Sequence, residues 1–133
     1  FIICNQPTDL PNGLDVVVAL PVGPEAITGS TRMKSGTAQK MALNMISTTA
    51  MVLLGKTYGN LMVDLRATSE KLAARSRKIL IELLRIDYEE ADRFLAAAGG
   101  SVKTAIVMYK RQCDRAEAER LLAEHGGFLA RVL

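Results

Sequence analysis

Two short apolar runs near the start of the chain predict buried β-strands. Residues 1–4 and 16–20 are continuous runs of apolar side chains rather than alternating ones. Continuous runs are typical of strands that are covered on both faces in the parallel sheet of an α/β protein. Since two strands cannot form such a sheet alone, we expect further strands to belong to it.

A segment from about residue 32 to residue 54 has the spacing of an α-helix and is apolar on almost every side. Such a helix is typically central and buried, so we predict that Met33, Met41, Met45 and Met51 lie in a core. Methionines are also typical of adaptable binding surfaces, but the core interpretation is favoured. The apolar run 41–54 is shorter than the ~20 residues that a membrane span needs. A buried helix is therefore predicted instead of a membrane helix.

The next predicted elements are a connector and an amphipathic helix. Residues 56–65 form the connector, with a turn at Gly59. Apolar residues then recur at spacings of three, four and seven up to about Leu84, and Thr68 or Ser69 can cap the start of this helix.

Beyond residue 86 the pattern changes to three short helices. Their start signals are Asp87, Ser101 and Asp114, and glycines 126–127 end the last helix. A bundle of this size has a marginal core, so we expect it to dock on neighbouring structure. We place a domain boundary here, with a first domain at 1–86 and a small helical domain at 87–133.

The net charge of +3 arises mainly from the second half of the chain. Its cations are interleaved with acids on predicted helices and are not accompanied by aromatic residues, which is typical of solvated helix faces. No binding of nucleic acid is predicted.

Cys4 and Cys113 are far apart and form no metal-binding motif with each other or with a histidine. We therefore predict no metal site. Two unpaired cysteines without a secretion signal indicate a reducing compartment, so the predicted location is the cytoplasm. The chain also begins without a methionine, inside an apolar strand-like run, and we expect it to be a fragment of a longer protein.

The segment 22–40 is the strongest candidate for a site. It places a strand end, an acid, a Gly-Ser-Thr turn and two cations ahead of a helix, whose first N–H groups attract anions. Ser30 and Thr31 either cap this helix or contact a ligand, and the residue types leave both interpretations open. Arg32 and Lys34 could each neutralise a phosphate, although we expect at most one of them to reach a ligand.

Glu25 and His125 have structural and functional interpretations. Glu25 follows the second strand and either binds a sugar hydroxyl or orients the Ser30 turn, of which we favour the second. His125 ends the last predicted helix, where capping is the default interpretation. The alternative places His125 over a sugar site of its own or a partner subunit. No carboxylate pair or Ser-His-Asp arrangement can be assembled, so we expect the chain alone to be inactive.

Three motifs carry a resemblance to a known family. The segment 23–40 reads G-P-E-A-I-T-G-S-T-R-M-K-S-G-T-A-Q-K, residues 58–65 read Y-G-N-L-M-V-D-L, and residues 125–128 read H-G-G-F. In these motifs and over essentially all of its length, the chain resembles the N-acetylmuramic acid 6-phosphate etherases. The first motif also resembles the wider sugar isomerase (SIS) superfamily.

The resemblance implies a cytoplasmic homodimer that removes D-lactate from N-acetylmuramic acid 6-phosphate and leaves N-acetylglucosamine 6-phosphate, in the recycling of cell-wall sugars. It implies an elimination followed by addition of water, performed by two carboxyl groups without a cofactor or metal. The two catalytic glutamates and a phosphate loop are expected upstream of Phe1, so no residue of this chain is predicted to be catalytic. Glu25 belongs to the G-P-E motif and not to that pair.

The implied fold is the C-terminal part of a SIS domain, a three-layer, flavodoxin-like α/β fold with a parallel sheet, followed by a three-helix bundle similar to ubiquitin-associated domains. The chain itself is expected to be mostly α-helical. The predicted substrate contacts are Ser30, Thr31, Glu25 and Lys34, with His125 and Asn60 as further candidates.

Two other classes of function compete with the etherase. SIS proteins that bind phosphosugars as regulators share the Gly-Ser-Thr turn, and a binding site without catalytic acids would have the same sequence here. The helical tail could instead be a protein-interaction module, although packing on its own SIS domain explains that tail more simply.

Overall fold

In the computed structural model, the chain is described over residues 1–5 and 9–133 and forms two units, Phe1–Ala50 and Met51–Leu133. Most of these residues are helical and the strands are short, which confirms the expectation of a mostly α-helical chain. The sequence Asn5-Gln6-Pro7 predicts a turn after the first strand, and this segment lies largely outside the described residues.

The first unit contains a small parallel sheet. Strand β1 (Ile2–Ile3) pairs with strand β2 (Val18–Ala19), with Ile2 opposite Val18. The pairing extends one residue past β2, where the Leu20 N–H donates to the carbonyl oxygen of Ile3 across 2.7 Å. The parallel direction agrees with the prediction from the continuous apolar runs, although each strand is shorter than its run.

Helix α1 (Lys34–Leu53) agrees closely with the predicted helix but not with its predicted burial. Among its residues, all of which the structure describes, Ala42 alone is buried. Met41, Met45 and Met51 are 56%, 60% and 42% exposed. The core assignment of these side chains, and of the 67% exposed Met33, is wrong for this chain. Two two-residue strands and their loops offer too little apolar surface to enclose a helix that is apolar on all sides.

The second unit contains a β-hairpin shortly after the end of α1, where the sequence predicted only a connector. Strand β3 (Thr57–Tyr58) pairs antiparallel with strand β4 (Leu61–Met62) around a two-residue turn. Gly59 takes a φ of +56° in that turn, a region that glycine enters without steric cost. Strands of two residues are too short to show the alternation that identifies a strand in a sequence.

Helix α2 (Glu70–Leu84) has the predicted bounds and the predicted cap. The side chain of Ser69 accepts a hydrogen bond from the N–H of Leu72 across 3.3 Å. The helix ends at Arg85, which adopts a left-handed conformation.

Three short helices follow, each starting where the sequence predicted: α3 (Tyr88–Ala97), α4 (Val102–Arg111) and α5 (Arg115–Glu124). In each case the predicted capping side chain accepts a hydrogen bond from the N–H three residues later. The capping residues are Asp87, Ser101 and Asp114. A further one-turn helix, α6 (Leu129–Val132), completes the chain and was not predicted.

The core of the second unit is centred on α4, whose first six residues, 102–107, are all buried. Leu80 of α2, Val63 after the hairpin and Leu129 of α6 are completely buried in the same cluster. The three short helices therefore share their core with α2 and with the hairpin segment. The domain boundary near residue 86 stays a prediction. None of the described helices is long and apolar enough to cross a membrane.

Candidate functional site

A polar cleft lies in the first unit, where β1 ends and α1 begins. Ligands of parallel α/β sheets are typically bound at this edge, beyond the carboxyl ends of the strands. The cleft contains two of the predicted site residues, Glu25 and Thr31. Its lining residues are Ile2, Ile3, Cys4, Asn5, Gly23, Glu25, Thr31, Ser35 and Gln39.

Glu25 caps helix α1. Its Oε2 atom accepts a hydrogen bond from the N–H of Lys34 across 3.1 Å, and its Oε1 atom accepts one from the N–H of Ser35 across 3.0 Å. These backbone donors, first that of Ser35 and then that of Lys34, lower the pKa of Glu25 below its ordinary value against a smaller opposing effect of burial. Two of the N–H groups at the start of α1, of the kind that attract an anionic ligand, are therefore bound by the chain's own carboxylate.

Ser30 and Thr31 lie in the loop between Glu25 and the helix. The N–H of Ser30 donates to the carbonyl oxygen of Ile27 across 3.0 Å, and the carbonyl oxygen of Thr31 accepts from the N–H of Gly36 across 3.1 Å. Among the hydrogen bonds of the described residues, none joins either hydroxyl to the start of α1, which Glu25 caps instead. Thr31 is exposed and borders the cleft, whereas Ser30 is half-buried beside it in the chain.

The cations of this loop border a different surface. Lys34 donates from Nζ to the carbonyl oxygen of Pro24 across 2.8 Å. Together with Arg32 it lines a shallow groove on the first unit, bounded also by Val22, Met33 and Thr37. No lysine or arginine is found among the described residues that line the cleft at Thr31.

The two remaining candidates belong to the second unit. His125 is the C-terminal capping residue of α5, and its Nδ1 atom lies 2.9 Å from the carbonyl oxygen of Leu121. The tautomer with a proton on Nδ1 donates a hydrogen bond there. Asn60 is exposed in the hairpin turn. His125 thus has the capping position that the sequence analysis favoured.

Several cleft residues were not singled out from the sequence. Cys4 and Asn5 directly follow β1, and their position at a strand's carboxyl end was the signal that could have identified them. Ser35 and Gln39 are four residues apart on α1 and so share a face of the helix. The thiol of Cys4 donates to the carbonyl oxygen of Ser35 across 3.3 Å, which joins the end of β1 to the start of α1.

Comparison with curated proteins finds close relatives over almost the whole chain, and their names identify them as enzymes. More particularly, each is named N-acetylmuramic acid 6-phosphate etherase. The relative from Geobacillus thermodenitrificans is 51% identical over 132 residues, 99% of this chain and 45% of its own length. Those from Rhodopirellula baltica and Mycolicibacterium smegmatis are 48% and 50% identical over 98% and 95% of this chain, and 43% and 42% of their own lengths.

The resemblance to the N-acetylmuramic acid 6-phosphate etherases is thereby confirmed. No protein-family model matches the chain. The chain spans somewhat less than half the length of the curated relatives it matches.

Proposed function

We propose that the protein containing this chain is an N-acetylmuramic acid 6-phosphate etherase, a carbon–oxygen lyase that releases D-lactate and leaves N-acetylglucosamine 6-phosphate. The observation that carries the proposal is the 51% identity over 132 residues to a protein of that name. The cleft at the carboxyl end of β1 supports it, because it brings Thr31 of the quoted motif to the edge of the sheet where ligands are bound.

The proposed reaction is an elimination of lactate followed by addition of water. It needs one carboxylate to remove the proton at C2 of the open-chain sugar and one acid to assist the departing lactate. We assign these tasks to glutamates upstream of Phe1, as the resemblance implies. Glu25 is poorly suited to them, because the two backbone donors lower its pKa and so make it a weaker base.

The part of this chain in the reaction is to hold the sugar phosphate. We assign the hydroxyl groups of Thr31 and Ser30 to substrate contact, because their loop borders the cleft. Lys34 and Glu25 adjoin this loop, and His125 and Asn60 remain candidates within the second unit.

The surrounding architecture is part of the same proposal. Residues 1–86 would complete a SIS domain with a three-layer α/β fold, and residues 87–133 would form a bundle similar to ubiquitin-associated domains. The parallel pairing of β1 with β2 supports the first assignment. The three capped helices support the second. A cytoplasmic homodimer is the proposed form of the protein.

The proposed function is tested with protein produced from its complete coding sequence, incubated with N-acetylmuramic acid 6-phosphate and assayed for D-lactate. Release of lactate in step with loss of substrate is the expected result. Binding of the sugar phosphate without lactate release would instead identify a phosphosugar-binding regulator. Lactate release by the 133-residue chain alone would contradict the assignment of the catalytic carboxylates to upstream residues.

The substrate-contact assignment is tested with Thr31→Val and Ser30→Ala, which remove one hydroxyl each. Removal of either hydroxyl leaves its polar partner on the sugar unpaired, which costs about 1–3 kcal/mol, so each variant should bind the sugar phosphate roughly tenfold more weakly. Ser47→Ala is the matched control, because it also removes one hydroxyl but lies away from the cleft. The hydroxyl of Ser47 donates to the carbonyl oxygen of Asn44 on the exposed surface of α1. Affinities equal to that of the control would show that neither hydroxyl contacts the ligand.

A further inference from the structure

The loop between Glu25 and α1 is closed at its base by three hydrogen bonds. Two are accepted by the carboxylate of Glu25, one at each oxygen, from the N–H groups of Lys34 and Ser35. The third runs the opposite way, from Nζ of Lys34 to the carbonyl oxygen of Pro24. The same two segments of chain are thus joined by a side chain from each of them, and the loop that carries Ser30 and Thr31 cannot move away from the helix without breaking these bonds.

Thr31 also forms a backbone hydrogen bond with helix α1. Its carbonyl oxygen accepts from the N–H of Gly36, inside the first turn of α1. Its exposed side chain borders the cleft together with Glu25 and Ser35. Since the cap made by Glu25 holds Ser35, and Ser35 lies opposite Cys4 at the end of β1, the position of Thr31 relative to the strand depends on Glu25.

The charges around the cleft indicate which part of a sugar phosphate fits there. Glu25 contributes a carboxylate, and the described lining residues include no lysine or arginine to balance it. Two amides at the start of α1, the usual donors to a phosphate, already donate to that carboxylate. The cleft therefore disfavours a second anion and suits hydroxyl or amide groups.

We propose that Glu25 is a positioning residue: it holds the Ser30-Thr31 loop against α1 and keeps the substrate's phosphate away from the start of that helix, so that Thr31 faces an uncharged, hydroxyl-bearing part of the sugar. This inference rests on the proposed function for the identity of the sugar. The occupation of the helix start by Glu25 is independent of it.

The first experiment tests that occupation without any substrate. In Glu25→Ala the two amides are released, so sodium sulfate should raise the thermal midpoint of this variant more than that of the unchanged protein, at an ionic strength matched with sodium chloride. Asp15→Ala is the control, because it removes an exposed acid of the same unit that lies outside α1 and its cap. Equal effects of sulfate on the unchanged protein and on Glu25→Ala would overturn the inference, whether or not the protein releases lactate.

The second experiment tests positioning in the protein produced from its complete coding sequence. For Glu25→Ala and Glu25→Gln we expect the KM for N-acetylmuramic acid 6-phosphate to rise about tenfold while kcat changes little, as for loss of one or two charge-assisted hydrogen bonds outside the reacting groups. Sodium formate should partly restore the KM of Glu25→Ala by filling the vacated place. It should have no such effect on Thr31→Val.

Glu25→Gln keeps the shape of the side chain and one acceptor, so it reports on the charge even if Glu25→Ala folds poorly. An unchanged KM in Glu25→Gln, together with no rescue of Glu25→Ala by formate, would overturn the positioning role. A fall in kcat at constant KM in both variants would also overturn it, because that result would place Glu25 among the reacting groups.

Failure of the unchanged protein to release lactate would count against the proposed function, and the sulfate experiment would still decide the role of Glu25.

Discussion

The ammonium group of Lys103 donates to the carbonyl oxygen of Gly127 across 2.8 Å, although Lys103 is only 7% exposed. The same group lies 3.1 Å from Oδ1 of Asp64, whose other carboxylate oxygen binds the half-buried Lys56. One buried cation in the first turn of α4 thus joins the segment after the hairpin to the turn that follows α5. A buried charge is tolerated in such a place only when it is paired and hydrogen-bonded.

Lys103→Met should destabilise the second unit more than Lys56→Met does. Methionine preserves the buried stem but leaves the carbonyl oxygen of Gly127 without its donor, which costs about 1–3 kcal/mol. The ion pair of Lys56 with Asp64 is accessible to solvent and is expected to contribute no more than about 1 kcal/mol. Urea unfolding of the two variants measures both values, and a Lys56→Met loss as large as that of Lys103→Met would contradict the assigned role of the buried ammonium.

Acid should weaken the second unit through Asp64. Burial raises the pKa of Asp64, but hydrogen bonds and charge from Lys56 and Lys103 outweigh it and lower the pKa overall. A carboxyl group whose pKa is lower in the folded state stabilises that state above its unfolded pKa of roughly 4, and this contribution disappears as the pH falls through the folded pKa. The difference in thermal midpoint between the unchanged protein and Asp64→Asn should therefore be largest near neutrality and shrink below about pH 4. A difference that stays constant through this range would contradict the assignment.

Gly55→Ala should be more destabilising than Gly59→Ala. Both glycines have positive φ angles, +67° and +56°, so the backbone cost of about 1–2 kcal/mol applies to each. A Cβ atom at Gly55 would lie 3.0 Å from the ring of Phe128, whereas one at Gly59 would meet nothing within 4 Å. The guanidinium of Arg131 lies over the same ring at 4.2 Å, which limits its freedom to move. Comparison of the two unfolding free energies isolates the packing cost, and equal values would show that the Phe128 ring yields.

Ser76→Ala and Ser69→Ala should change stability in opposite directions although both remove a hydroxyl at α2. Ser76 is completely buried and its hydroxyl has no hydrogen-bond partner among the described residues, so alanine removes a desolvated polar group. Ser69 caps the helix, and its loss costs about 1 kcal/mol. Thermal melts of the two variants provide the comparison. If Ser76→Ala is instead less stable than the unchanged protein, the Ser76 hydroxyl forms a hydrogen bond in solution.

Local signals account for the parts of the fold that sequence analysis predicted. Four helices, α2 to α5, each begin at a residue whose side chain accepts a hydrogen bond from the N–H three residues later. Each start can therefore be predicted from a segment of only four residues. The hairpin at residues 57–62 was missed because strands of two residues show no period, although its Gly-Asn turn was a signal. The exposure of α1 depends on what packs around it, which a helical period cannot report.

Part of the site was also predicted from a local signal, whereas the contacts between distant residues were not. The motif identified the loop with Ser30 and Thr31, and the structure brings Thr31 and Glu25 to one cleft. The sequence did not show that Glu25 caps α1 in place of the two hydroxyl residues, because this bond spans nine positions and no fixed pattern describes such a cap. Residues that are close in space but distant in sequence require the fold to be known first.

The bidentate cap made by Glu25 has a consequence for how this segment can evolve. A carboxylate nine positions before Lys34 reaches both amides only if the intervening chain has one length, since a residue added or removed would shift the acid away from the helix start. In an alignment of relatives, insertions and deletions should therefore be absent between the glutamate and the helix, even where the residues between them differ in type. We expect gaps to occur instead in the loop at residues 9–15, where none of the described residues forms a comparable cap.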